Sequence, residues 1–284
     1  MALGAREMRP GGLLNSCITG LGDFSSQSAL KQHLERWVSC IPQSLFTGLL
    51  WLDAVVILAL LCFPLNGALL ACAAILHLIQ MKRHHLSFDG ADEMVLVCLT
   101  ALAVGSLGNS ESAAALFIAA EAALAYFVAG IYKAASPYWK RGLALLLITR
   151  TRLFGQQRLS QALQRHPRIT AALELIFVSW EVIFPVALIV PPRILFVFLM
   201  VGLLFHLSCA WVMGLNTFVW AFAATYPCIY FCNQQLRSML TTSVADGLSL
   251  GVALVLGVAV ALMNVYLTRR LVIAEAKFNA TAMR

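Results

Sequence analysis

The stretch AYFVAGIYKAASPYWKRG, residues 125–142, joins an apolar run to a lysine, a proline and a group of aromatic and basic residues. The apolar run is the end of residues 112–132, which are long enough to cross the roughly 30 Å hydrocarbon layer of a membrane as a helix. Lys133 follows this run directly. Pro137 lacks a backbone N–H and helps to turn the chain out of the helix. The stretch therefore predicts a membrane-spanning helix whose end leads into a segment along the membrane surface.

The rest of the chain has the composition of a membrane protein. Of its 284 residues 61% are hydrophobic and 12% are charged, whereas soluble domains carry about a quarter charged residues. We expect an all-α integral membrane protein with a single bundle of about eight transmembrane helices. The predicted spans are residues 43–63, 66–82, 92–108, 112–132, 169–190, 193–213, 215–233 and 246–268.

The longest segment between predicted spans covers residues 133–168 and carries eight Lys and Arg residues among apolar clusters. A ninth span here would have to bury Arg150 or Arg152 in lipid, at a cost of a few kcal/mol for each. We predict instead an amphipathic interfacial insert, which would lie over the bundle as a lid. The predicted domains are a polar N-terminal leader at 1–41, a transmembrane domain at 42–268 that includes this insert, and a basic C-terminal tail at 269–284.

The basic residues also predict the orientation of the chain. If the N-terminus is cytoplasmic, 18 of the 20 Lys and Arg residues fall on the cytoplasmic side, and only Arg193 and Arg237 fall opposite. This asymmetry is typical of multi-pass membrane proteins. We therefore expect both termini in the cytoplasm, membrane lipid as the partner of the basic surface, and no nucleic acid.

Ionisable side chains within predicted spans are costly, and each is a candidate for function. Asp53 and His77 lie on neighbouring spans and could bond to each other or to a backbone carbonyl to hold a hairpin. Glu174 and Glu181 are seven residues apart and share a helical face, where they could bind a cation or balance Lys133. Glu121 is about 18 Å from Lys133 along a straight helix, too far for direct pairing. The complete set is Asp53, His77, Glu121, Lys133, Glu174, Glu181 and His206.

Lys133 and His206 each allow two interpretations. Lys133 could extend to the lipid headgroups, as lysines at span ends usually do, or point into an apolar cavity where a neutral amine would act as a base. His206 could be a hydrogen-bonded core residue or line the same cavity. Cys228 and Cys232 lie one helical turn apart, but no further ligand completes a metal site, so no metal is predicted.

Two segments resemble the membrane domain shared by vitamin K-dependent γ-glutamyl carboxylases and their bacterial relatives, the HTTM (horizontally transferred transmembrane) domain. In the first, Ala129-Gly130 precedes Lys133, and Trp139 and Gly142 follow it. The second begins at a Phe-His pair and continues with matching spacing through Phe205, His206, Met213, Gly214, Phe218, Trp220, Ala224 and Pro227. The carboxylases have a second lysine where this chain has Tyr132, and an asparagine where it has Cys209. A weaker match places His85 at a further active-site histidine.

The resemblance implies that Lys133 is the catalytic base that deprotonates a reduced quinone like vitamin K, and that His206 is a catalytic residue that orients or hydrogen-bonds the substrate. We expect the substrate-binding residues to be Trp139, Glu181, Asn216 and Trp220. A reduced quinone is the expected cofactor, and a peptide or protein is a further expected substrate. The alternative is a non-catalytic membrane module that keeps the fold and assists peptide maturation or export.

Overall fold

The computed structural model describes residues 38, 40–83, 89–151 and 155–243, and these residues form helices and turns without any β-strand. The chain divides into two compact units, one ending at Ala114 and the other beginning at Ala115. Eleven α-helices lie within the described residues: α1 Gln43–Cys62, α2 Gly67–Arg83, α3 Gly90–Leu107, α4 Glu111–Ala135, α5 Pro137–Lys140, α6 Ala144–Arg150, α7 Gln157–Arg165, α8 Pro167–Ile183, α9 Pro192–Met213, α10 Asn216–Ala223 and α11 Tyr226–Ser243. A 3-10 turn, Phe184–Leu188, extends α8.

Within the described residues, five segments are long and apolar enough to cross a membrane. Many of their large apolar side chains are exposed, including Trp51, Val104 and Trp211. Apolar surface of this extent needs a lipid environment, and the chain is therefore an all-helical membrane protein. The five segments are Gln43–Cys62, Gly90–Leu107, Glu111–Ala135, Pro167–Leu188 and Pro192–Met213.

The described residues do not give the predicted count of eight spans. Helix α2 has 17 residues and ends in Lys82 and Arg83, so it is short and charged at one end. The predicted span 215–233 consists of two helices, α10 and α11, separated by a turn at residues 224–225. Pro227, in the first turn of α11, has no N–H to donate to a preceding helix. The predicted eighth span, 246–268, lies outside the described residues.

The polar groups of the first unit hold its helices together. Asp53 of α1 accepts a hydrogen bond from Gln80 of α2 (3.0 Å), and His77 Nε2 lies 3.1 Å from the backbone carbonyl oxygen of Asp92. His77 therefore contacts a backbone carbonyl, which is one of the two arrangements that the sequence allows. Asp53 instead bonds to the side-chain amide of Gln80. Both contacts join neighbouring helices, so these two residues serve packing in the fold.

Arg83 is buried at the end of α2. Its guanidinium donates to the backbone carbonyls of Val38 (3.0 Å) and Ile41 (2.7 Å), and it lies over the ring of Phe46, 4.6 Å from the centroid. This arginine therefore ties the segment that enters α1 to the end of α2.

In the second unit, α4 ends at Ala135 and Pro137 begins the single turn of α5. Proline is well suited to this first helical position because the N–H it lacks would have no helical partner there. The chain turns at Ser136, as the sequence predicts, and the insert that follows forms α5, α6 and α7 before Pro167 begins α8.

Candidate functional site

The end of α4 and the end of α8 meet at an ion pair between Lys133 Nζ and Glu181 Oε1. The Glu181 side chain is 2% exposed and the Lys133 side chain is 24% exposed. The ammonium group also lies 5.6 Å from the ring centroid of Trp139 and 5.5 Å from that of Phe205. Lys133 is therefore held between a carboxylate and two aromatic rings, and most of its side chain is buried.

Gly130 allows α4 and α8 to approach closely enough for this pair to form. A Cβ atom on Gly130 would lie 2.8 Å from the backbone nitrogen of Val182 and 2.9 Å from Glu181 Cβ. Contacts this short with backbone atoms are not tolerated, so any larger residue would push the helices apart. Gly130 lies one helical turn before Lys133, which gives the Ala129-Gly130 step of the motif a packing role.

A second polar contact lies deeper in the same unit, between the buried residues Tyr126 and His206. Tyr126 Oη lies 2.7 Å from His206 Nε2, and the His206 side chain is 3% exposed. The imidazole is stacked on Phe222 with a centroid distance of 4.5 Å, while Tyr126 packs on Phe184 at 4.0 Å and against the edge of Trp180 at 5.0 Å. An aromatic shell therefore fixes the orientation of both members of the pair.

The ion pair and the Tyr126–His206 pair belong to one cluster, which we call the Lys133 cluster: Lys133, Glu181, Tyr126, His206, Trp180 and Phe205. The Phe205 ring lies 5.2 Å from His206 and also contacts Lys133. The four helices α4, α8, α9 and α10 supply the cluster and its aromatic shell.

Several buried polar atoms of this cluster have no hydrogen-bond partner among the described residues. They include Glu181 Oε2, His206 Nδ1 and Trp180 Nε1. Buried polar groups are nearly always paired, so unpaired ones call for an explanation such as a bound ligand. Together they offer a carboxylate acceptor, an indole donor and an imidazole nitrogen, which suit a ligand with hydroxyl or carbonyl oxygens.

The remaining predicted site residues lie elsewhere. Asn216 and Trp220 of α10 are exposed, with Trp220 75% exposed. The face of α10 that meets His206 carries Phe218 and Phe222, with centroid distances of 6.1 and 4.5 Å. Residues 218 and 222 are one turn apart, and residue 220 lies on the opposite side of the helix. The structure thus joins Glu181 and Trp139 to Lys133 and turns Asn216 and Trp220 outward.

Glu174 has a separate role from Glu181, although the two share a helix. Its Oε1 accepts a hydrogen bond of 2.8 Å from the backbone N–H of Leu145, in the first turn of α6. A carboxylate at this position satisfies an N–H group that has no partner within the helix and interacts favourably with the helix dipole. Glu174 therefore fastens the insert to α8, and the shared face does not hold a paired-carboxylate site.

Gly142 makes the same attachment possible. It has a φ of +68°, and a Cβ here would lie 2.7 Å from Ala171 Cβ. The left-handed conformation and the close contact both favour glycine.

Two residues of the site escaped the sequence analysis. Tyr126 lies seven residues before Lys133, and therefore on the same helical face, but a tyrosine in an apolar run is usually a core residue. Trp180 directly precedes Glu181 but is not ionisable, so the cost of charge in lipid does not select it. The sequence signal for both is their position in the helix: Tyr126 lies on the same face of α4 as Lys133, and Trp180 lies next to Glu181 in α8.

The fold and the cluster define a helical multi-pass membrane protein with a buried Lys–Glu pair beside a Tyr–His pair. Comparisons with protein-family models, curated proteins and solved structures found no match to this chain. The resemblance to the HTTM domain stays a prediction from the sequence. Within the described residues no three His, Cys, Asp or Glu side chains are grouped as metal ligands.

Proposed function

We propose that this membrane protein is an acid–base enzyme of the HTTM kind that acts on a lipophilic, quinone-type substrate, with Lys133 as the base. The observation that carries the proposal is the ion pair of part-buried Lys133 with buried Glu181, in a cluster that contains unpaired polar atoms of Glu181, His206 and Trp180. Ionisable groups in a transmembrane bundle are costly and commonly mark a substrate or proton site.

The ion pair offers a way for a lysine to act as a base inside a membrane. If the shared proton moves from Lys133 Nζ to Glu181, an N–H bond breaks, an O–H bond forms, and no net charge is created. The neutral amine can then accept a proton from a substrate hydroxyl. Glu181 would thus hold one proton while Lys133 receives the next.

The deeper part of the cluster would position the substrate. A hydroquinone has a hydroxyl proton for the base and oxygens that accept hydrogen bonds, so it fits an indole donor and an imidazole nitrogen. Tyr126 fixes the imidazole of His206 through the 2.7 Å contact, and the aromatic shell excludes water. Trp139 and Phe205 flank the amine and would form the apolar walls around it.

The carboxylases that the sequence resembles add carbon dioxide to glutamate side chains as they oxidise a reduced quinone. The test is therefore to incubate membranes containing the protein with labelled bicarbonate and a reduced quinone, and to measure both label incorporation and quinone oxidation. We expect activity in the native protein, loss in Lys133→Ala, and strong reduction in Tyr126→Phe. Tyr132→Phe is the matched control because Tyr132 is 74% exposed. Equal activity in native protein and Lys133→Ala would overturn the assignment of Lys133 as the base.

The alternative, a non-catalytic module that assists peptide maturation or export, has one observation in its favour. The aromatic rings around His206 are in close contact with one another, as in a packed core. That alternative predicts that Lys133→Ala reduces stability without any chemical readout. Absence of both label incorporation and quinone oxidation in stable native protein would favour it.

We also propose the full topology of eight spans with both termini in the cytoplasm. Five spans come from the candidate segments, and α2, the α10–α11 region and residues 246–268 would supply the other three. The distribution of Lys and Arg supports this orientation.

A further inference from the structure

Helices α6 and α7 of the insert enclose an open cavity of about 510 Å³ that is separate from the Lys133 cluster. Its wall is made of hydroxyl, amide and guanidinium side chains. Its polar lining includes Thr149, Arg150, Gln157, Ser160, Gln161 and Gln164. No carboxylate lines the cavity among the residues that the structure describes, so its chemistry suits an anion with several oxygen acceptors.

The sequence around the cavity is also positively charged. Residues 122–173 contain no Asp or Glu, while residues 133–168 contain eight Lys and Arg. Within the cavity, Arg150 Nη2 donates to Gln164 Oε1 at 2.8 Å. This contact uses one of the five N–H donors of the guanidinium and fixes the orientation of the Arg150 side chain. Arg150 is thus a positioned donor for a group such as phosphate.

The cavity also lies next to the start of a candidate membrane span. Gln164 is three residues before Pro167, the first residue of the candidate span Pro167–Leu188. The cavity is therefore at the end of that span, and basic pockets at this level bind anionic headgroups.

From this placement we propose that the cavity between α6 and α7 binds the phosphate of an anionic lipid headgroup, with Arg150 as the main contact and Gln161 and Gln157 as amide donors. Bound lipid would hold the two short helices of the insert together. This site is independent of the acid–base function proposed for Lys133.

The test uses the full-length protein in non-ionic detergent, titrated separately with phosphatidylglycerol, phosphatidylcholine and inorganic phosphate. Binding is followed by native mass spectrometry and by the shift in thermal unfolding, since a ligand that binds the folded state stabilises it. We expect saturable binding of phosphatidylglycerol and weak binding of phosphatidylcholine. Saturable binding of inorganic phosphate that depends on Arg150, with no binding of phosphatidylglycerol, would support the same phosphate site but assign it a soluble ligand.

The decisive comparison is between Arg150→Gln and Arg158→Gln. Both remove one positive charge from the insert, but Arg158 does not line the cavity. We expect Arg150→Gln to weaken phosphatidylglycerol binding by at least about fivefold, equivalent to the roughly 1 kcal/mol that one basic residue contributes near an anionic surface. Arg158→Gln should leave it nearly unchanged.

Gln161→Leu provides a second variant that keeps the charge, because Gln161 is an exposed residue of the cavity. It should also weaken binding, and it keeps the proposal testable if Arg150→Gln does not fold. An equal loss in Arg150→Gln and Arg158→Gln would show a general charge effect and overturn the site. Absence of saturable binding for both phosphatidylglycerol and inorganic phosphate would overturn it as well.

Discussion

At the scale of single residues, the environment of Lys133 decides what its amine can do. Its ion pair with the buried Glu181 stabilises the protein less than its Coulomb energy indicates, because both groups lose hydration when they are buried. Removing one partner is much more costly than the net contribution of the pair, since the other charge then stays buried without compensation.

We therefore predict that Lys133→Met, which leaves the 2% exposed Glu181 side chain without its partner, lowers the free energy of unfolding by about 3 kcal/mol. The double variant Lys133→Met with Glu181→Leu should recover most of that loss, because no charge is left unpaired. The measurement is a double-mutant cycle by denaturant unfolding in detergent micelles. Additive effects of the two single substitutions would contradict a direct interaction between the side chains.

Lys133, His206 and Glu181 are conspicuous in the sequence because charge is costly in lipid, and the structure places all three in buried or part-buried positions. The sequence could not assign their partners. Glu174 and Glu181 look equivalent in sequence, yet one bonds to the N-terminus of α6 and the other pairs with Lys133. The difference depends on which part of α8 the folded insert contacts. The helical periodicity of the sequence carries no information about that contact.

At the scale of helices, the seam between α4 and α8 depends on a single glycine. The positions that a Gly130 side chain would occupy are taken by the backbone of Val182 and by Glu181 Cβ. Backbone atoms cannot move without shifting the whole helix. A larger residue at position 130 would therefore separate α4 from α8 and lengthen the Lys133–Glu181 contact.

Gly130→Ala is accordingly expected to destabilise the protein by about 1–3 kcal/mol, the usual cost of overpacking, and to reduce quinone oxidation if the proposed function holds. The control is Gly48→Ala in α1, where a Cβ would meet nothing within 4 Å. That change should be neutral or stabilising, since alanine is favoured over glycine in helices by up to about 1 kcal/mol. Unfolding midpoints of the two variants measured side by side provide the comparison, and equal effects would exclude a role for the close approach.

Helix existence was easier to predict than helix number. Long apolar runs such as 43–63 and 193–213 became Gln43–Cys62 and Pro192–Met213 with small changes at their ends. The run 215–233 has the same apolar character, but its break at residues 224–225 depends on Pro227 and on local turn geometry. Composition over a window does not detect such a break.

At the scale of the whole molecule, orientation in the membrane is the property that the distribution of charge determines. Ser110 is an exposed residue in the turn between α3 and α4, and it falls on the side opposite to the basic insert in the proposed topology. In the proposed topology Lys277 falls on the cytoplasmic side with the insert, and it lies outside the described residues.

We predict that a cysteine at position 110 is labelled by a membrane-impermeant reagent from outside the cell and that a cysteine at position 277 is labelled only after the membrane is opened. Both are introduced into a variant without native cysteines. The expected difference follows from the retention of Lys- and Arg-rich segments in the cytoplasm. Labelling of both positions from the same side would refute the eight-span topology.

The hydrogen bond from Leu145 to Glu174 also sets an order for the biogenesis of the protein. The two residues are 29 positions apart, so at about 5–20 residues per second the ribosome adds Glu174 roughly 1.5–6 s after Leu145. Until then the first turn of α6 lacks its carboxylate acceptor. The insert therefore completes this contact only after Glu174 has been synthesised, and a chain stalled between these points would leave the N-terminus of α6 without its carboxylate partner.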